Sequence, residues 1–160
     1  MLDTVEAAVG VRRMLQACFV VGTPLLTPEG SKRIEEFEVG DWVLSRNELE
    51  EGAPVRPQRV LQVFVRLGRV LELSVGGQVL GTTAEHPFWV DGQGWVAAGE
   101  LQVGDVLVSH TGELLKVEGL RDTDEVQTVY NLEVDEDHTY FVGCAEWGFS
   151  VWAHNACKIV

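Results

Sequence analysis

Cys18 and the His154-Asn155 pair stand nearly a domain's length apart, and each has a reaction available within its own backbone. A cysteine thiolate is a strong nucleophile when its pKa is lowered. Cys18 follows Ala17, so attack on the Ala17 carbonyl would pass through a tetrahedral oxyanion and leave a thioester where a peptide bond was. The ester is the less stable form, so the site must strain the amide or trap the product. At the other end, the Asn155 carboxamide can close on its own main-chain carbonyl as a five-membered succinimide, breaking the Asn155–Ala156 bond. The nucleophile is already tethered, so most of the entropy cost is met. His154 can polarise that carbonyl, and His138 can handle protons on the amide side. Thr83 and His86 lie between these ends, in GTTAEHPFWV. Three apart where a strand bends, they can converge on one carbonyl, with Thr83 holding the oxyanion and His86 protonating the departing Cys18 nitrogen. Taken singly, each signal has a plain structural reading: a buried Cys is a small hydrophobe, a His before proline is structural, and a His-Asn near a chain end is a polar turn. Their joint order points to self-directed chemistry, in which the substrate of the chain is the chain itself.

Those residues need a scaffold that brings distant segments together. Residues 1–17 read as a short helix, with Leu2, Val5 and Val9 at helical spacing. From Cys18 onward, short runs rich in Val, Leu, Phe and Tyr, such as QRVLQVFVRL, RVLELSV and EVQTVYNLEV, are broken by turn residues, many of them among the 17 glycines. This predicts an all-β domain with little or no helix. The charged loop NELEEGAPVRP (47–57) reads as an exposed excursion. The chain also repeats itself: IEEFEVGDWVLS (34–45) matches GELQVGDVLVS (99–109), and RVLELSV…EHPFWV (69–90) matches TVYNLEV…DHTYFV (128–142) in the same order. His86 and His138 fall at equivalent places in the second match, which predicts a duplicated, pseudo-twofold β fold.

Composition narrows the function. With 46% hydrophobic and 23% charged residues the balance is that of a globular domain, and the length suits one domain with a real core. A formal net charge of −13 repels phosphate backbones and anionic membranes, which argues against nucleic acid or a membrane as partner. No apolar run approaches a transmembrane span. The start is a poor signal peptide, because Arg12 and Arg13 follow the apolar stretch and Asp3 and Glu6 come early, so cytoplasmic residence is the expectation, although a longer host protein could be secreted or surface-associated. Cys18, Cys144 and Cys157 form neither a disulfide framework nor a zinc pattern.

At this point the sequence resembles the Hint superfamily, which includes inteins, hedgehog autoprocessing domains and bacterial intein-like domains. CFVVGTPLLTPEG with VGDWVLS is similar to the family's amino-terminal block, GTTAEHPFWV to the second, VYNLEVDEDHTYFVG to the block before the end, and VWAHNAC to the terminal block. The resemblance spans Cys18 to Asn155 and implies a flat, horseshoe-like all-β fold with pseudo-twofold symmetry, whose two chain ends meet at one site. It implies functional roles for Cys18, Thr83, His86, His138, His154 and Asn155. The terminal Asn155 argues against the hedgehog branch. Two positions depart from the intein pattern. Ala156 stands where inteins carry Cys, Ser or Thr, with Cys157 one residue further on, so cleavage at one or both ends is favoured over splicing. The same relaxed pattern occurs in A-type bacterial intein-like domains and in Hint domains ahead of toxin modules. Asn131 stands where inteins often have Asp that helps the amino-terminal step; a neutral Asn cannot act as a base, but it can hydrogen-bond.

The expected organisation is a flank (1–17), a Hint-like domain (18–155) and a second flank (156–160), acting in cis as a monomer whose partners are its own flanking polypeptides. Two other readings stand beside it: a non-catalytic Hint-like β module, and a cysteine hydrolase acting in trans through Cys18 and His86. The chemistry calls for no cofactor and no metal. Zinc would inhibit if Cys18, His86 and His138 crowd one site. If His86 donates a proton while Cys18 attacks as thiolate, the first step should have a bell-shaped pH profile.

Overall fold

The computed structural model describes residues 17–155. The helix expected over residues 1–17 therefore lies almost wholly outside the described residues, as do Ala156 and Cys157. From Phe19 on the chain is all-β: β1 (Phe19–Val20), β2 (Pro24–Thr27), β3 (Gly30–Arg33), β4 (Trp42–Ser45), β5 (Arg56–Val75), β6 (Gln78–Thr82), β7 (Pro87–Val90), β8 (Gly94–Ala97), β9 (Val106–Val108), β10 (Leu114–Val134), β11 (Thr139–Cys144) and β12 (Phe149–His154). The helical content of the described residues is two single 3-10 turns, Ile34–Glu36 and Ala98–Glu100.

The strands join in one sheet of order β3-β2-β11-β12-β7-β9-β10-β1-β6-β5-β4, with β8 on β7 and the long strands β5 and β10 paired to each other. That antiparallel ribbon runs from Val117↔Val75 to Val134↔Val60, with register shifts that bend it. The two chain ends enter next to it. β1 is held between β10 and β6, and β12 between β11 and β7. Every residue of β12 is buried, the pattern of a strand covered on both faces. It therefore delivers His154 and Asn155 into the interior instead of to a frayed end.

The duplication seen in sequence is physical. Each half runs hairpin, 3-10 turn, Val-Gly-Asp corner, short strand, long strand. In the first corner Gly40 N–H donates to Val60 O and Val60 N–H to Asp41 O; in the second, Gly104 N–H donates to Val117 O and Val117 N–H to Asp105 O, all at 2.8 Å. The carboxylates of Asp41 and Asp105 each accept the main-chain N–H three residues back, from Glu38 at 2.8 Å and from Gln102 at 2.9 Å. The corner needs φ of +94° at Gly40 and +96° at Gly104, a region open to glycine at little cost. That is why the motif recurs intact.

The core gathers Phe19, Leu25, Ile34, Phe37, Val43, Leu73, Phe88, Leu107, Leu132, Tyr140, Val142 and Val151. A second cluster builds on Phe141 and Trp152 with Trp89 and Trp95 at its edge. Trp152 and Trp147 pack as the aromatic pattern of GCAEWGFSVW predicts: Trp152 is fully buried and Trp147 lies 5.6 Å from Phe149.

Candidate functional site

The amino end is built by β1 and the bend between β6 and β7. Ala17 and Cys18 are both fully buried. The Cys18 N–H, whose nitrogen belongs to the Ala17–Cys18 bond, donates to Thr83 Oγ1 at 2.9 Å, and the Thr83 N–H donates to the Cys18 carbonyl at 2.9 Å. Thr83 thus grips Cys18 from both sides, and its hydroxyl sits on the nitrogen of the Ala17–Cys18 peptide bond. Burial pushes the Cys18 thiol up to about 11, against the opposing pull of the Arg66 guanidinium beside it. His86 is fully buried, stacked 4.1 Å from Phe19. Burial pushes it down to about 3, with the nearby Cys18 and His154 backbone pulling the other way. It is therefore a neutral imidazole, able to accept a proton before it can donate one.

The carboxyl end is built by β12, β10 and the turn before β11. Asn155 is buried; its N–H donates to the His138 carbonyl at 3.0 Å, a contact set up by the left-handed backbone of His138 (φ +58°). Asp137 secures this turn by accepting from Arg56 at 2.8 and 2.9 Å and from Gln58 at 3.0 Å. The Arg56 hydrogen bonds hold the Asp137 carboxyl below the usual range despite its burial. The Asn155 carbonyl, the one a succinimide would form on, accepts a hydrogen bond from Asn131 Nδ2 at 2.7 Å. The Asn155 side-chain nitrogen is buried and makes no hydrogen bond among the described residues.

Asn131 thus reaches the carboxyl end through the Asn155 carbonyl. Its carboxamide orientation is fixed by its neighbours: Oδ1 accepts from Leu132 N–H at 2.8 Å and from the Tyr140 hydroxyl at 2.7 Å. The Tyr140 hydroxyl lies 3.2 Å from His86 Nε2. Since Tyr140 spends its proton on Asn131, the contact requires the proton on His86 Nε2. His86 Nδ1 is then the nitrogen without a hydrogen, buried and with no hydrogen bond of normal geometry among the described residues. A single file of hydrogen bonds runs from His86 through Tyr140 and Asn131 to the Asn155 carbonyl.

His138 and His154 meet at a residue the sequence reading assigned no role. Glu48 Oε2 lies 2.5 Å from His138 Nδ1, and Glu48 Oε1 lies 2.6 Å from His154 Nε2. His154 turns its Nε2 to Glu48, while the Asn155 carbonyl accepts from Asn131. The 47–57 loop is likewise only partly the expected excursion. Leu49 to Gly52 are exposed, but Asn47 and Glu48 are half-buried and Arg56 and Pro57 belong to β5. His138 faces Glu48, and among the described residues no group of three or more His, Cys, Asp or Glu is placed to hold a metal ion. Cys18, His86 and His138 therefore do not form the zinc site that was considered. His110 is structural, its Nδ1 2.7 Å from Ser150 Oγ. Cys144 lies half-buried at the end of β11, and no role emerges for it.

Comparison with known proteins agrees with this architecture. A bacterial intein-like domain from Clostridium thermocellum is 41% identical, with a TM-score of 0.76, covering 86% of this chain and 97% of its own. The MchDnaB-1 intein is 27% identical (TM-score 0.66; 85% and 98% covered). A DnaB intein from Synechocystis, at 20% identity, shares the fold (TM-score 0.71; 89% and 99% covered). No curated protein sequence matches the chain. Residues 25–156 match the pretoxin Hint domain family, a span that includes every site residue above except Ala17 and Cys18. The chain belongs to the pretoxin Hint domain family and has the all-β, horseshoe-like, internally duplicated fold of intein-like domains.

Proposed function

We propose that this domain processes the polypeptide that carries it, in cis and once per molecule, by breaking the peptide bonds at its two ends. The observation that carries the reading is the carboxyl end: a buried Asn155 whose side-chain nitrogen makes no hydrogen bond among the described residues, and a carbonyl already polarised by the Asn131 amide. Asn155 Nδ2 bonds to its own carbonyl carbon, the oxyanion is held by Asn131, and the bond to the Ala156 nitrogen breaks. One side-chain amide proton is lost, one proton reaches the Ala156 amine, and the succinimide stays on residue 155. At the amino end, Cys18 Sγ bonds to the Ala17 carbonyl carbon and the bond to the Cys18 nitrogen breaks. The net proton movement is from sulfur to nitrogen, and the neutral His86 suits that transfer. Water or a thiol then takes the acyl group and releases residues 1–17.

Ala156 offers no nucleophile to receive the acyl group, so cleavage is the outcome and splicing through Cys157 a minor one. The partners are the domain's own flanking polypeptides, and membership of a pretoxin family fits a host whose following segment is freed by scission after Asn155. Intact-mass spectrometry over hours, with and without dithiothreitol, tests the reading. Fragments ending at Ala17 and at an Asn155 succinimide or its hydrolysis product are expected. An unchanged mass under all conditions overturns it in favour of an inert Hint-like module. Cutting of added peptide that slows on dilution favours a hydrolase acting in trans.

A further inference from the structure

Two histidines beside Asn155 raise a question of charge. Cyclisation needs a base to take a proton from the side-chain amide and an acid to give one to the leaving amine. A single carboxylate lies between them: Glu48 Oε2 at 2.5 Å from His138 Nδ1 and Oε1 at 2.6 Å from His154 Nε2, with the ring centroids 6.4 Å apart. One carboxylate thus faces both rings, and it meets them at opposite nitrogens.

We propose that Glu48 is the positioning residue of the carboxyl-terminal reaction, orienting the His138 and His154 rings. This rests on the reading that Asn155 cyclises. The loop is built to keep Glu48 in place. Trp95 Nε1 donates to the Glu48 carbonyl at 3.0 Å while its ring meets His154 edge-on at 5.1 Å. Trp89 Nε1 holds Glu51 Oε1 at 3.0 Å, and Arg46 Nε donates to the Ala53 carbonyl at 3.0 Å with its guanidinium over Trp152. The His154 side chain is 4% exposed and that of Glu48 19%, so their pairing is screened from water, whereas His138, 46% exposed, lies on the open side. Burial alone would raise the Glu48 carboxyl; the hydrogen bonds from His154 and His138 outweigh it and hold Glu48 below the usual range. The other charged groups around the trio are committed elsewhere: Asp137 to Arg56, Arg46 to the Ala53 and His110 carbonyls, and Glu51 to Trp89, while His86 is neutral.

Glu48→Gln keeps the size and hydrogen-bonding reach but removes the charge. In the full chain, scission after Asn155 is expected to slow on the order of tenfold or more. Glu48→Asp should restore part of the rate, and Glu29→Gln, at an exposed turn carboxylate, should change nothing. An unchanged rate in Glu48→Gln overturns the proposal. Imidazole nitrogen NMR of His138 and His154 at one fixed pH reads the same question without any cleavage: the His138 Nδ1 and His154 Nε2 resonances, the nitrogens that face Glu48, should move in Glu48→Gln. Unchanged resonances refute the role of Glu48. Resonances that move in a chain whose unsubstituted form never cleaves after Asn155 refute the cyclisation reading and not the clamp.

Discussion

The amino-terminal step should be nearly independent of pH between 6 and 9. The bell-shaped profile expected from sequence assumed a His86 that titrates near neutrality, and burial removes that condition. With the thiol pushed up to about 11 and His86 pushed down to about 3, the resting pair across this range is thiol and neutral imidazole. The reactive pair, thiolate and imidazolium, contains the same number of protons. Its population is therefore set by the gap between the two pKa values and does not change with pH while the pH lies between them. A gap of about eight corresponds to an internal transfer cost on the order of 10 kcal/mol, which makes the step slow as well as flat. The alternative is loss of the thiol proton to solvent. That route gains tenfold per pH unit below the thiol pKa, so roughly a thousandfold from pH 6 to pH 9. The assay is single-turnover release of residues 1–17 in an Asn155→Ala background, trapped with hydroxylamine at concentrations where the rate no longer depends on the trap. Rates within about threefold across the range are expected. A slope near one on a logarithmic plot refutes proton transfer through His86.

Three further outcomes follow from the geometry. Asn131→Ala removes the donor on the Asn155 carbonyl and should slow scission there by about 10² to 10³, the usual effect of losing one oxyanion donor, with a smaller effect at Cys18; mass spectrometry of both products reads the difference. Cys18→Ala should abolish release of residues 1–17 and leave scission after Asn155 intact, while Asn155→Ala does the reverse; one substitution that stops both shows that the two ends are not independent. Gly143→Ala places a methyl against the Phe149 carbonyl and Ser150 main chain across the β11–β12 hairpin, which backbone cannot yield cheaply. It should cost about 1–3 kcal/mol, seen as a lowered thermal midpoint, and an unchanged midpoint would show that the hairpin shifts freely.

The sequence carried the positions that chain order can carry. Cys18 beside Thr83, the mirrored Val-Gly-Asp corners and the terminal His-Asn on a strand were all readable, because each depends on local spacing or on a glycine that only one backbone geometry explains. What it did not carry was partnership across the fold. Glu48 meets His154 across 106 residues and His138 across 90, from within a charge-rich loop whose composition reads as solvated. Tyr140 reads as a core aromatic in DHTYFV, and nothing local reveals that its hydroxyl bridges a histidine and an amide. Thr83, His86 and Asn131 could be singled out, but not the atoms they meet: the Cys18 nitrogen at Thr83, the Tyr140 hydroxyl at His86 and the Asn155 carbonyl at Asn131. Side-chain direction and burial decide those matters, and neither has a sequence signature of this length.

The file from His86 to the Asn155 carbonyl has a direction that cannot be reversed. An amide oxygen only accepts, so the Tyr140 hydroxyl must point at Asn131, and Asn131 must point its nitrogen at Asn155. When His86 takes a proton it does so at Nδ1, on the far side of the ring, and Nε2 keeps the hydrogen it already shares with Tyr140. Nothing downstream has to turn. On the proposed chemistry, the wall shared by the two ends would stay the same whichever bond breaks first, and release of one flank would leave the other in place.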